Sequence, residues 1–350
     1  MRDGDLLVLD GADVLALLDE QEQRLLDLVR MAYVAHARGS SALPHSTFLR
    51  FPGEERNRII ALPAYLGDGF SVAGMKWVSS FPGNLARGMD RASAVVVLNS
   101  AETGRPVAFM EGSTISAKRT AASAALAAVT LHDPNASHTL GVVGCGLINF
   151  EVVRFTLAAQ PALKRLVVYD LQPGRAEGFA EKCRTLAPDL EVSTAGSVEE
   201  VLRAGTLTSF ATTATVPHVE SLEACPAGST VLHISLRDLT PEAILAGDNV
   251  VDDVDHVCRA QTSVHLAEQL TGTRSFIRCA LADILLGVAP PKPSPDVPTI
   301  FSPFGLGVLD IAVAQFIYEA ACAEGRGSSI SSFFPTPWVE RGDKRPGARR

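Results

Sequence analysis

Three charged residues and one glycine loop carry the residue types that could do chemistry together in this chain. Lys76 ends an apolar run and sits beside Trp77 and Val78, so a half-desolvated ammonium there has its pKa lowered toward a useful acid/base range. A lysine snorkelling from a strand to solvent is the plainer alternative. Arg119, in the first turns of the alanine-rich stretch SAKRTAASAALAAVTL, offers a planar fork suited to a carboxylate, and Ala117, Thr120 and Ala121 leave room beside it. Its alternative is a helix-surface arginine in a salt bridge. Asp238, in HISLRDL, follows an apolar run and falls at the C-terminal sheet edge where ligands of doubly wound folds bind, or else caps a helix starting at Pro241.

The glycine loop is GVVGCGLINFEVVRF, residues 141–155. Glycines in such a turn let backbone approach a pyrophosphate while the following helix points unpaired N–H groups at it. Gly144 and Gly146 supply two of the three expected glycines, and Asn149 stands in the third place. Asp170 closes the next apolar run 24 residues after Gly146, where a carboxylate accepts both ribose hydroxyls and so favours NAD. Arg175 is close enough to serve the 2′-phosphate of NADP instead, and a turn that only packs helix on strand is the third possibility.

These residues need elements to hold them. Residues 13–38 show helical periodicity until Gly39, Ser40, Ser41 and Pro44 stop it, which predicts one long helix. From His45 to about Phe109, short apolar runs alternate with turn signals at 81–84 and 102–104, which predicts meandering β structure. The alanine-rich helix over 116–131 follows, then a loop at Asp133, Pro134 and Asn135. Beyond it strand and helix alternate: TLGVV, helix 147–159, RLVVYD, helix 174–187, LEVS, helix 197–204, LTSFATTA, STVLHISL and NVVDDVDHV. Val-rich strands at that spacing predict a parallel sheet covered on both sides. A proline-rich loop over 289–299, a final apolar helix in VLDIAVAQFIYEAACAEG and a partly disordered tail from Phe333 complete the reading.

Bulk properties narrow the partners. The chain has 350 residues, 47% hydrophobic and 20% charged, enough for two domains. A net charge of −8 without a long basic run before the last ten residues argues against nucleic acid or an anionic membrane and for a small-molecule ligand. The acidic start MRDGDLLVLDGADV lacks a signal peptide's positive region, and no apolar run approaches a membrane span, so a cytoplasmic location is expected. Six cysteines without a CxxC or Cys/His cluster read as reduced thiols, with no metal site.

Four separated blocks, GMKWVSSFPGN, AETGRPVAFMEGSTISAKRTAASAALAA, the mid-chain glycine loop and FGLGVLDIA, together resemble the ornithine cyclodeaminase/mu-crystallin family. That resemblance implies an α/β protein. Residues 1–118 and 306–335 would form an α+β substrate-binding and dimerisation domain, 119–305 a Rossmann-like NAD domain, and 336–350 a tail. It implies that Lys76 and Asp238 pair as the catalytic groups and that Arg119 binds substrate. Cofactor contacts are implied for Gly144, Gly146, Leu147, Ile148, Asn149, Asp170, Thr120, Thr213 and Ser235, with a homodimer as the assembly.

Two departures point further. Many family members carry arginine directly after the proline of Pro44-His45-Ser46, whereas Arg50 comes five residues after His45 here. Arg91 stands where ordinary cyclodeaminases look like serine or threonine, and a more cationic pocket suits a substrate with several carboxylates. RASAVVVLN, the GCGLINFE loop and HISLRDLTPEAILAGDNVVDDVDHV are most similar to the branch that makes L-2,3-diaminopropionate, the N-(2-amino-2-carboxyethyl)-L-glutamate dehydrogenases. In that branch NAD-dependent oxidation and imine hydrolysis release L-2,3-diaminopropionate and 2-oxoglutarate. Arg119 and Arg91, with Arg50 and His45, would hold three carboxylates, and Phe304 would either wall the pocket or fill core. Ornithine cyclodeamination, an alanine-type or imine dehydrogenase, and a non-catalytic cofactor-dependent binding protein are the competing readings.

Overall fold

The computed structural model describes residues 4–133, 138–292, 294 and 296–340. The expected tail lies mostly outside these residues, as do Pro134 and Asn135 of the expected loop.

The chain enters as β1 (Leu6–Leu9), α1 (Gly11–Leu17) and α2 (Glu22–Ala37). Asp10 starts α1 as an N-cap, its carboxylate accepting the N–H groups of Ala12 and Asp13 at 2.9 Å. The single helix expected over 13–38 is therefore two. Val14, Leu17, Leu18, Leu25 and Leu28 keep helical spacing across the break, so periodicity alone does not reveal the turn, in which Glu20 takes a left-handed φ of 53°.

Strands β2 (Ser41–Ala42), β3 (Thr47–Phe51), β4 (Glu54–Leu66), β5 (Val72–Ser80), β6 (Ala92–Ser100) and β7 (Pro106–Glu111) form the predicted meander. Helix α3 (Ser113–Leu131) leads into β8 (Thr139–Val143), α4 (Leu147–Ala159), β9 (Arg165–Tyr169), α5 (Pro173–Arg184), β10 (Glu191–Thr194), α6 (Val198–Ala204) and β11 (Leu207–Phe210). Next come β12 (Thr230–His233), α7 (Pro241–Leu245), β13 (Asp248–Val251), α8 (Val254–Val257), α9 (Ser263–Thr271), β14 (Ile277–Ala280), α10 (Leu281–Leu285) and β15 (Thr299–Ser302). Helix α11 (Gly307–Glu324), β16 (Ser328–Ile330) and a short 3-10 turn at Trp338–Glu340 follow.

Two eight-stranded sheets result. The first runs β16-β1-β7-β6-β5-β4-β2 with β3 added on β4. The second is fully parallel in the order β10-β9-β8-β11-β12-β15-β13-β14, so the chain reverses direction across the sheet between β8 and β11. The fold is α/β. Sequence reading did not anticipate α9, β14 or β15; the last is a four-residue strand at the end of the proline-rich stretch, inserted between β12 and β13. NVVDDVDHV is strand only through Val251, because Asp253 caps α8 by accepting from His256 N at 2.8 Å.

Two features join the halves. Helix α3 is buried on nearly every side, and its alanines let it contact α2, α4, β6 and β12 together. Helix α11 returns to the first sheet and packs on β4, β5 and β6. Small residues make that approach close: a Cβ on Gly74 would lie 3.2 Å from Ile311, and one on Gly307 would lie 3.1 Å from Leu62 O. Among the described residues no helix is long and apolar enough to cross a membrane.

Candidate active site

Alternation along β5 sends Val72, Lys76 and Ser80 to the inner face of the first sheet, where Lys76 lies opposite Leu62 of β4 and Val96 of β6. The lysine is 2% exposed, more buried than its sequence suggested. Its ammonium donates to Ser116 Oγ and to Asp310 Oδ1, each at 2.9 Å. Burial pulls the Lys76 pKa down to about 8, repulsion from Arg119 adds to the fall, and Asp310 opposes it. An amine at that value can give or take a proton near neutrality.

Asp310 is the centre of the cluster. One oxygen, Oδ1, accepts from both Lys76 Nζ and Arg119 Nε at 2.9 Å, while Oδ2 is buried without a hydrogen-bond partner among the described residues. Arg119 spends only its Nε on Asp310, and its terminal nitrogens lie beneath Gly305, whose added Cβ would come within 2.9 Å of Nη1. A fork so placed has its outer edge left for a carboxylate. Gly305 holds φ +92° and its N–H donates to Asp252 Oδ2 at 2.7 Å, with Phe304 N donating to Oδ1 at 2.8 Å. The buried Asp252 carboxyl thus fastens the turn over Arg119, and burial pushes its pKa up to about 6 against the pull of those N–H donors.

Asp238 is not the carboxylate that Lys76 meets in this structure. It is fully buried and accepts from the hydroxyls of Thr212 and Ser235, with His233 Nε2 at 3.5 Å from Oδ2. Burial works to raise its pKa, but the hydrogen bond and charge of His233 and the two hydroxyls hold it below the usual carboxylate range. Nor does Asp238 cap α7, since Thr240 does so through Ala243 N at 3.3 Å. Ser235 thus spends its hydroxyl on Asp238, whereas Thr213 lies exposed beyond β11 at the parallel sheet's C-terminal edge.

The glycine loop has the features a dinucleotide needs. Gly144 takes φ +92°, and a Cβ there would strike Ala211 O at 2.6 Å. A Cβ on Gly146 meets nothing within 4 Å, which leaves open space at the α4 N-terminus, and no side chain caps that terminus. Asn149 differs from the cofactor-contacting side chain expected of it. It is fully buried, its amide donating to Val143 O at 2.9 Å and Gly144 O at 2.7 Å, while its oxygen accepts from Ser209 at 2.7 Å. Asn149 braces the loop from beneath. Leu147 is exposed at the helix start and Ile148 half-buried. Asp170 ends the strand path of β9 and accepts from Cys145 N at 2.9 Å, and Arg175 Nε is 3.8 Å from Asp170 Oδ2. Thr120 turns its hydroxyl back to Ser116 O at 2.7 Å within α3.

The remaining candidates line the rim. Arg91 donates to Ser80 Oγ at 2.8 Å and meets no carboxylate among the described residues. Arg50 lies over the Phe48 ring at 5.8 Å. The His45 ring stands 5.1 Å from that of His256 and accepts from Arg259 Nη1 at 3.1 Å, and Phe304 packs 6.3 Å from His256. Sequence reading missed Asp310 although FGLGVLDIA contains it; the signal was an acid inside an otherwise apolar helix, a residue type that is almost never fully buried unless paired.

The profile of the ornithine cyclodeaminase/mu-crystallin family matches residues 12–325. The chain is 28% identical over 335 residues to N-((2S)-2-amino-2-carboxyethyl)-L-glutamate dehydrogenase of Staphylococcus aureus, covering 94% of this chain and 99% of that protein. An archaeal alanine dehydrogenase dimer with bound NAD superimposes with a TM-score of 0.84 at 27% identity, over 94% of this chain and all of the other. Delta(1)-pyrroline-2-carboxylate reductase of Thermococcus litoralis, in complex with NADH and L-proline, gives 0.83 at 26% identity, over 92% and 99%.

Proposed function

This chain belongs to the ornithine cyclodeaminase/mu-crystallin family, and from that premise we propose that it oxidises N-(2-amino-2-carboxyethyl)-L-glutamate to L-2,3-diaminopropionate and 2-oxoglutarate. At the coarser level it is an NAD-dependent oxidoreductase of amino-acid or imine substrates. The observation that carries the reading is the buried triad in which Lys76 and Arg119 share Asp310 Oδ1, with Arg91 on the same inner face and without a carboxylate of its own.

NAD, when bound at the Gly144–Gly146 loop, supplies the acceptor for the hydride lost from the glutamate Cα. The protein's own residues do the rest. The outer edge of Arg119 holds the carboxylate next to the reacting carbon and so orients the Cα–N bond. Lys76, poised near 8, takes the proton of the secondary amine, because only the neutral amine can release hydride to give an iminium. Water adds to that iminium carbon, and proton transfers through Lys76 collapse the adduct to keto acid and free amine. The balance is one NAD and one water consumed, with NADH and one proton released.

A second copy of the chain completes the assembly. Odd-numbered residues of β4–β7 face outward, and Tyr65, Trp77 and Phe109 on that face are 39, 37 and 40% exposed, an apolar sheet surface of the kind that subunits cover. The test of function is incubation with NAD and the adduct. Accumulating NADH with mass-spectrometric detection of both products is expected; proline and ammonia from ornithine, with no net NADH, would replace this reading with cyclodeamination, and NADH from alanine alone with an alanine-type dehydrogenase.

A further inference from the structure

We infer that Arg58 and Arg237, together with Arg91 and Arg50, form a cationic subsite that binds two carboxylates of the substrate beyond the one held at Arg119. The inference rests on the substrate cleft proposed above and adds two residues that neither spacing nor resemblance singled out.

Register places three of the four side by side. Arg58 on β4 lies opposite Ser80 on β5, Arg91 Nη1 donates to that same Ser80 hydroxyl at 2.8 Å, and Arg50 on β3 lies opposite Arg58. Arg237 arrives from the loop after β12, between the parallel sheet and α7, and is anchored by Nη2 on Ala260 O at 2.7 Å. Both halves of the fold therefore contribute. Even-numbered positions of β4 and β5 share one face, so this group and Lys76 look the same way, four residues or ~13 Å apart along β5 at the usual strand rise. Long side chains at both ends shorten that gap to the span of a branched tricarboxylate.

Among the described residues only Asp238, acting on Arg237 without a direct ion pair, offsets the charge of the group. Arg58 Nε is buried with no hydrogen-bond partner, and none of the four guanidiniums pairs with a carboxylate among the described residues. Burial lowers the Arg58 pKa, and repulsion from Arg237, Arg91 and Arg50 lowers it further; burial followed by Arg50 lowers that of Arg237, with Asp238 opposing in part. Arginines stay charged regardless, so the cost is carried by the fold as unrelieved repulsion. Arg58, Arg91 and Arg237 are half-buried and Arg50 is exposed; half-buried like charges with so little compensation destabilise a folded state, a cost characteristic of a site whose ligand brings the opposite charge. The dinucleotide phosphates have their own place at the α4 N-terminus, which leaves these cations for the substrate.

The test uses the full-length protein loaded with NAD. Calorimetric binding of tricarballylate, glutarate, acetate and inorganic phosphate is measured for wild type, Arg58→Gln and Arg237→Gln, alongside ligand-free melting temperatures. Expected are tricarballylate binding at least about tenfold tighter than acetate in wild type, and a loss of about tenfold in each variant with acetate binding unchanged. Ligand-free variants should melt no lower than wild type, since each substitution relieves repulsion. Tricarballylate no tighter than acetate, phosphate tighter than either, or variants that bind like wild type overturn the subsite. Retained tricarballylate binding with no turnover of the glutamate adduct supports the subsite while refuting the proposed substrate, so the two readings fail separately.

Discussion

Lys76 Nζ and Arg119 Nε each lie 2.9 Å from the same oxygen of Asp310, so two buried cations are held by one buried anion. The arrangement explains a lysine that is charged enough to be positioned and weakly basic enough to lose its proton. If the neutral amine is the working form, kcat/KM of the wild type rises with pH and levels off above about 8, the value to which burial brings Lys76. In Asp310→Asn the ammonium loses its attractive partner while burial and repulsion from Arg119 remain, so the rise should move to lower pH and the plateau fall roughly 10- to 100-fold. A pH profile of kcat/KM for both proteins checks this; an unmoved limb would take Lys76 out of the rate-determining protonation.

Lys76→Ala should abolish turnover by at least ~100-fold, the usual contribution of a positioned acid/base group. NAD affinity should hold, because the Gly144 loop and Asp170 are built on the other sheet. Removing a buried cation from the Asp310 pair costs stability too, so the comparison is valid at a temperature where fluorescence shows both proteins folded.

Asp170→Ala should weaken NAD by about tenfold or more and strengthen NADP, because the variant loses the ribose acceptor and frees Arg175, now 3.8 Å from that carboxylate. Titration with both nucleotides decides it. Unchanged preference would mean that Asp170 serves only Cys145 N.

Much of this was legible in sequence and some was not, for identifiable reasons. Gly144, Gly146 and Asp170 stand out in the sequence because the strand, turn and helix that carry them are consecutive in the chain. Lys76 and Arg119 were singled out by neighbouring residue types together with family resemblance, and the structure brings the two onto one carboxylate. That carboxylate was not legible, since Asp310 lies 234 residues from Lys76 and only the packing of α11 on β5 at Gly74 and Gly307 brings it near. The pairing of Asp238 with Lys76 came from family resemblance; the residues themselves give that carboxylate's sheet edge, but not which of two buried carboxylates the closing helix delivers to the lysine. The break between α1 and α2 escaped because apolar spacing continues through it, and β15 escaped because four residues in a proline-rich setting carry too little pattern.

Asp252 sets a pH dependence of stability with a defined sign. Its carboxyl pKa is raised on folding from 3.8 to about 6, so below 3.8 both states are protonated and stability is highest from this group. As pH rises from about 4 to about 6 the unfolded chain releases its proton first, and that stability is lost; above 6 the loss is complete. Asp252→Asn should remove this step, visible as the wild-type minus variant difference in urea midpoint across that window. The variant should also raise KM more than it lowers kcat, since one N–H of the Phe304–Gly305 turn over Arg119 loses its acceptor.

The outward face of the first sheet provides the last prediction. Trp77 neighbours Lys76 in the chain, yet alternation points it to the opposite side of β5, so it can be changed without placing a new group in the cleft. Opposite it are Ala61 on β4 and Val95 on β6, small or apolar residues that leave the indole prominent. A lysine at 77 puts a charge in the middle of that surface, which a second subunit would have to desolvate without a partner. Trp77→Lys should therefore shift sedimentation from dimer to monomer while leaving NAD binding intact. A variant that sediments as the wild type would mean that this sheet face is not where the copies meet.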